Sequence, residues 1–163
     1  TTKLYYQINV TSTETGKVTL DLSDNGNEHA TVYVYQNDTA VYDLATVSDK
    51  NIVLTAKADA GYGDLKVYCQ LAGSGDSWME VPVLNGQYTL TASILQQAAT
   101  AGKTLIIKAV APTAMQTLNL VNDGNKYCVL SVNGENVAAQ NGVAYFKAGS
   151  TVKVQVSANV NVT

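Results

Sequence analysis

Residues 18–58 read VTLDLSDNGNEHATVYVYQNDTAVYDLATVSDKNIVLTAKA. Apolar and polar side chains alternate through much of this stretch. Ala30, Val32 and Val34 fall on one side of a chain whose other side carries Tyr33 and Tyr35. A period of two marks a half-buried strand, because successive side chains leave opposite faces of the pleat. Asn25-Gly26 breaks the pattern with two residues that tolerate positive φ, the chemistry of a tight turn.

The pattern continues on both sides. In Leu65-Lys66-Val67-Tyr68-Cys69-Gln70-Leu71 the inward set is Leu65, Val67, Cys69 and Leu71. In 78–83 the alternation turns Met79, Val81 and Val83 inward and Trp78 and Glu80 outward. Strands are predicted near 3–10, 18–22, 30–36, 40–46, 51–58, 65–71, 78–83, 87–93, 104–110, 116–121, 127–133, 143–147 and 151–157. Turn signals at Asn85-Gly86, Asp123-Gly124, Asn133-Gly134 and Asn141-Gly142 separate several of them. One short helix is predicted over Ser93–Ala99, closed by Gly102. Short strands without helical alternation point to an all-β, antiparallel sandwich.

The opening stretch has a second copy. Residues 116–158 read QTLNLVNDGNKYCVLSVNGENVAAQNGVAYFKAGSTVKVQVSA. Leu20 and Leu22 match Leu118 and Leu120, and Val32 and Val34 match Leu130 and Val132, each 98 residues on. Ile52, Leu54, Ala56 and Ala58 match Val152, Val154, Val156 and Ala158, 100 residues on, so the loop between needs two extra residues. Lys3-Leu4-Tyr5-Tyr6-Gln7 likewise aligns with Thr104-Leu105-Ile106-Ile107-Lys108. Internal similarity on this scale signals tandem units. Residues 1–11 then read as the last strand of a preceding unit or an exchanged strand, 12–111 as one sandwich unit, and 113–163 as a partial second copy. Pro112 marks the joint. A phase with its boundary at 59–63 is the alternative. The start Thr1-Thr2-Lys3, without Met, leads us to expect a processed or excised piece.

Three segments resemble the immunoglobulin-like repeats of long bacterial surface proteins. Lys147-Ala148-Gly149-Ser150-Thr151-Val152-Lys153-Val154-Gln155-Val156 is similar to their "AG-TV-V-V" strand. Asn85-Gly86-Gln87-Tyr88-Thr89-Leu90 is similar to "NG-YT", and Ala101-Gly102-Lys103-Thr104-Leu105-Ile106-Ile107-Lys108-Ala109 to the "G-TL-I-A" final strand. The first copy departs from the pattern, with Ser48-Asp49-Lys50-Asn51 in place of the Ala-Gly turn. The resemblance implies immunoglobulin-like sandwiches in tandem, outside a bacterial cell or on its surface, acting as spacers, adhesin stalks or glycan-binding modules. It supplies no catalytic residue and no cofactor.

Composition narrows the partners. Of 163 residues, 46% are hydrophobic and 14% charged, with a net charge of −3 and no arginine. Phosphate backbones need a basic face, so nucleic acid is excluded as a partner. No apolar run approaches the roughly 20 residues of a membrane span. Without the guanidinium fork, carboxylate and phosphate ligands are also disfavoured. Neutral partners remain: glycans, or domains of other surface proteins.

Trp78 is the strongest candidate binding residue. With Tyr68, Lys66, Gln70 and Glu80 on the same outward face, it would offer a sugar ring an apolar plane beside hydrogen-bonding groups. The competing reading is packing at a sheet edge. Cys69 and Cys128 fall on inward faces of different units, which favours buried thiols over an inter-sheet disulfide. His29 aligns with Tyr127 and has no nucleophile motif near it, so it reads as a turn residue. The acidic turn 21–28 misses the Asp-x-Asp-x-Asp-Gly spacing of calcium loops, and hairpin chemistry accounts for it without a metal. Three glycosylation sequons, at Asn9, Asn37 and Asn161, are expected by chance in a chain this rich in Asn and Thr. Three functions follow: a non-catalytic spacer or adhesive module, a carbohydrate-binding module of a polysaccharide-capture system, or a filament or phage subunit that exchanges strand 3–10 with a neighbour.

Overall fold

The computed structural model describes residues 16–119, 128–136 and 142–158. The expected strand 3–10, the Asp123-Gly124 turn, Tyr127, and the sequons at Asn9 and Asn161 lie outside the described residues, as does the side chain of Cys128.

In chain order the first part holds β1 (Lys17–Asp21), β2 (Ala30–Gln36), β3 (Thr39–Val41), β4 (Asp43–Val47), β5 (Ile52–Ala58), β6 (Tyr62–Gly63), β7 (Lys66–Leu71), β8 (Met79–Glu80), β9 (Val83–Leu84), β10 (Gln87–Leu90), α1 (Ala92–Ala101) and β11 (Leu105–Val110). The second holds β12 (Thr113–Ala114), β13 (Gln116–Asn119), β14 (Cys128–Val132), β15 (Glu135–Asn136), β16 (Val143–Phe146) and β17 (Val154–Ala158). Among the described residues the protein is all-β apart from one short helix.

Two five-stranded sheets, ordered β4-β1-β11-β7-β8 and β3-β2-β5-β10-β9, enclose one apolar core. Val18 and Leu20 of β1, Val32 of β2, Leu54 of β5, Val67 and Cys69 of β7, and Leu105, Ile107 and Ala109 of β11 are buried there. Alternation therefore assigns these faces correctly. Each large aliphatic side chain so enclosed contributes about 1.5–3 kcal/mol relative to exposure. One pairing departs from the antiparallel expectation: β1 runs parallel to β11, Leu20 opposite Leu105. The chain crosses between the sheets before β11 returns beside β1, so no hairpin fixes their relative direction.

Met79 and Val83 are exposed, against the inward assignment, whereas Val81 is buried. The chain changes sheets here. Val81 donates its N–H to Val67 O, and Pro82 O accepts from Thr89 N across the gap. Only the residue at the crossing is enclosed, and its neighbours lie on edge strands β8 and β9. The predicted strand 40–46 also divides, with Tyr42 between β3 and β4. Its hairpin partner turns at Asn37-Asp38, both with positive φ.

Helix α1 is longer than the expected 93–99. Thr91 Oγ1 caps it by accepting from Ile94 N, and Asn51 Oδ1 accepts from Ala92 N. Gly102, at φ 63, ends it in the left-handed region that glycine enters at little cost. Ile94, Leu95 and Ala98 are its buried face.

The second part repeats the pairings of the first. β1 pairs β4 with Leu20 opposite Leu44, and β13 pairs β16 with Leu118 opposite Ala144. β2 pairs β5 with Val32 opposite Ala56, and β14 pairs β17 with Leu130 opposite Val156. These are the 98- and 100-residue offsets of the sequence. The two-residue difference is a net one. The β14–β15 hairpin closes at Val132–Glu135 where β2–β3 still pairs Val34 with Val41, which removes four residues, and the connection onward to Ala144 adds six. Among the described residues a second apolar cluster holds Val132 and Ala144, with Leu118 and Val152 against them.

The parts meet at a short joint. β12 pairs β6, Thr113 opposite Gly63 and Ala114 opposite Tyr62, and Met115 N donates to Gly61 O at 2.7 Å. A Cβ on Gly63 would lie 3.1 Å from Met115 Sδ, so the close approach of these strands favours glycine. Asp64 accepts hydrogen bonds from Thr113 Oγ1 and Lys147 Nζ. These bonds, the lysine's first, hold its carboxyl below the usual range.

Candidate functional site

The outer face of β8-β7-β11 carries the residues singled out around Trp78. Register places Glu80 opposite Tyr68, and Tyr68 opposite Lys108. Lys66, Tyr68 and Gln70 alternate outward from β7 because Val67 and Cys69 take the core. Trp78 stands just before β8, half-buried on this face.

The five expected residues do come together, but Lys66, Glu80 and Gln70 already have partners. Lys66 Nζ lies 3.3 Å from Glu80 Oε2 in an exposed ion pair. Gln70 Nε2 donates to the carbonyl of Asp76. Lys108 Nζ sits 4.3 Å from the centre of the Trp78 ring and 5.9 Å from that of Tyr68. An ammonium over an indole face is held by the ring quadrupole. Lys108 thus occupies the plane a sugar would stack on. The sheet order, which sets β11 beside β7, brings Lys108 to this face.

A second aromatic group lies on the outer face of the other sheet. Tyr33 and Tyr35 meet edge-to-face with centroids 5.0 Å apart, and their hydroxyls are 3.2 Å apart. Tyr42 tilts against Tyr33 at 6.0 Å. Tyr33 is covered, whereas Tyr35 is 55% and Tyr42 45% exposed. The Tyr35 hydroxyl, and after it Lys57, lowers the Tyr33 pKa; the same hydrogen bond raises that of Tyr35. Lys57 is raised, chiefly through Tyr33. The outward assignment of Tyr33 and Tyr35 pointed here. Tyr42 joins only because the chain bends between β3 and β4.

The acidic turn and His29 border a polar groove of about 370 Å³, lined by Ser23, Asp24, Asn27, His29, Tyr42 and Asp59 among others. Its carboxylates serve the backbone. Asp21 accepts from Ser23 N and Oγ, which lowers its pKa, and Asp24 accepts from the N–H groups of Gly26 and Asn27. His29 stacks on Tyr62 at 3.7 Å between centroids. Among the described residues no group of three or more His, Cys, Asp or Glu side chains is placed to hold a metal.

Cys69 is a fully buried free thiol whose pKa burial pushes up to about 11. A protonated thiol at neutral pH is a poor nucleophile. The cleft beside it, about 200 Å³, is bordered by Met79, Ile94, Gln97 and Leu105. Among the described residues no helix is long and apolar enough to cross a membrane. No family model, no curated protein and no solved structure matches the chain.

Proposed function

We propose that this is a non-catalytic extracellular module of a bacterial surface protein, in which immunoglobulin-like sandwiches in tandem serve as a spacer and adhesive stalk. The joint carries the reading. A flexible linker lets neighbouring units collapse together, whereas a spacer must transmit direction. Here β12 leaves the first unit already paired to β6, and Asp64 binds both Thr113 and Lys147 across the junction. The repeated strand registers support tandem units, and the missing nucleophile–base motif supports a role without chemistry. Small-angle scattering tests the reading. The chain is expected to give one narrow distribution of interatomic distances, and Asp64→Ala a broader one. A broad distribution in the unmodified chain would refute the spacer reading.

A carbohydrate-binding module is the second reading. It is supported by the exposed Tyr35 and Tyr42 rings around Tyr33, rather than by Trp78, whose face Lys108 covers. Calorimetry against soluble polysaccharides, with Tyr35→Ala and Trp78→Ala as comparisons, tests it. Heat of binding lost with Tyr35→Ala supports the tyrosine face; none with any common glycan removes the reading.

A further inference from the structure

The polar groove beside the acidic turn and the tyrosine face form one continuous surface. Tyr42 borders the groove and tilts against Tyr33. Thr31 borders it from the side of β2 that also carries Tyr33 and Tyr35. The walls are set by main-chain bonds between segments distant in sequence. Leu22 N donates to Tyr42 O at 2.8 Å, and Asp59 N donates to His29 O at 2.8 Å. His29, at φ 48, is stacked on Tyr62, which fixes the plane of its ring. The groove's volume of about 370 Å³ falls within the range of small-ligand sites, about 300–1,000 Å³.

The hydrogen-bonding groups of the groove are only half committed. Asp24 accepts from Gly26 N and Asn27 N through Oδ1, which leaves Oδ2 over. Asn27 Oδ1 accepts from Ala109 N, which leaves its amide nitrogen to donate. Asp59 is the exception among the carboxylates here: it is exposed, and among the described residues its side chain has no hydrogen-bond or ion-pair partner. Acceptors beside a donor suit a hydroxyl, which is both. No lysine lines the groove, so an anionic ligand would meet two carboxylates without a counter-charge. An ammonium would satisfy the carboxylates but has no lone pair for the Asn27 amide. Next to this polar wall the half-exposed Tyr42 ring offers an apolar plane.

We propose that the groove edged by Tyr42 binds one unit of a soluble neutral glycan, its ring stacked on Tyr42 and its hydroxyls paired to Asp59, Asp24 Oδ2 and the Asn27 amide. This deepens the carbohydrate reading above and rests on it. The two demands of a sugar are met side by side: its C–H face needs an apolar plane, and its hydroxyl rim needs acceptors and donors. From the groove the chain continues across Tyr35. Tyr33 stands at 57° to Tyr42 and at 88° to Tyr35, so the face is stepped rather than flat. A soluble chain can twist to follow it, whereas a flat crystalline array cannot lie on it. Trp78, on the outer face of the other sheet with Lys108 over its ring, takes no part. Asp59 sets the specificity. Its carboxylate accepts from hydroxyls and repels the carboxylate of a uronic acid.

The test uses the full chain in affinity electrophoresis. Xyloglucan, galactomannan, mixed-linkage β-glucan and dextran are the neutral probes, and polygalacturonate and alginate the anionic ones. At least one neutral probe should retard the chain, and neither anionic probe should. Titration with oligosaccharides cut from the retarding polymer should shift the amide resonances of residues 23–31, Tyr42 and Asp59, and leave those of 66–70 in place. Asp59→Asn should weaken binding about tenfold, the worth of one charge-assisted hydrogen bond, with circular dichroism unchanged. Tyr42→Ala should weaken it at least about fivefold, whereas Tyr42→Phe, which keeps the ring, should bind within about twofold of the unmodified chain. Retardation by an anionic probe equal to that by a neutral one overturns the proposal. Binding indifferent to Asp59→Asn, or resonance shifts confined to 66–70, overturns the groove while the carbohydrate reading stands. No retardation by any probe removes both.

Discussion

Replacing Leu20 by alanine tests where the stability of this chain resides. Leu20 is 0% exposed in β1, between Leu44 of β4 and Leu105 of β11, both also buried. Leucine-to-alanine changes at enclosed sites cost about 2–5 kcal/mol, from lost transfer energy and the cavity left behind. The tight enclosure by two sheets argues for the middle, about 3 kcal/mol. In a cooperative unit of about 100 residues that lowers the midpoint by roughly 12–24 °C. Trp78 is the only tryptophan and lies on the sheet that carries Leu20, so its fluorescence during urea unfolding reports on the core around Leu20. The midpoint should fall with the slope unchanged. Leu118→Ala is the internal comparison, since Leu118 holds the matching position but is half-buried. It should leave the Trp78 transition within about 0.5 kcal/mol. A loss below about 1 kcal/mol for Leu20→Ala would refute the enclosed core. Equal losses for the two would contradict the deeper burial of Leu20.

Cys69 should resist iodoacetamide at pH 8 in the native protein and react in urea, as read by mass spectrometry of its peptide; native labelling at the denatured rate would contradict its burial. Its folded pKa of about 11 stands above the ordinary value of 9.0, so the stability it contributes is complete below pH 9 and declines as pH rises towards 11. Replacing Cys69 by alanine should flatten that decline in urea titrations across this range. A double-mutant cycle of Lys108→Ala and Trp78→Ala should return a coupling of about 0.5–1 kcal/mol, and zero coupling would mean that the ammonium does not engage the ring. Asp64 has a lowered pKa, so its hold on the joint is present above its ordinary value of 3.8 and lost as pH falls through the folded value. The scattering profile should broaden on acidification in the native chain, and Asp64→Asn should be broad already at pH 7.

Local chemistry in the sequence determined the strands, their buried faces and several turns. Alternation alone separated Val67 and Cys69 from Lys66 and Tyr68, because a pleated strand permits no other distribution of side chains. Asn85-Gly86 and Asn133-Gly134 take positive φ at both residues, as their short side chains allow. The offset between Leu20 and Leu118 carried the matching registers of β1–β4 and β13–β16. What lies beside what was decided only by tertiary structure. No local rule sets the order of strands that cross between sheets, so the parallel β1–β11 pair, the exposure of Met79 and Val83, and the placing of Lys108 over Trp78 were illegible beforehand. The site residues were found together as read, but their availability depended on neighbours distant in sequence. The same holds for β13: its sequence matches that of β1, but among the described residues β1 is flanked by β4 and β11 whereas β13 pairs β16 alone, and Leu118 is half-buried where Leu20 is enclosed.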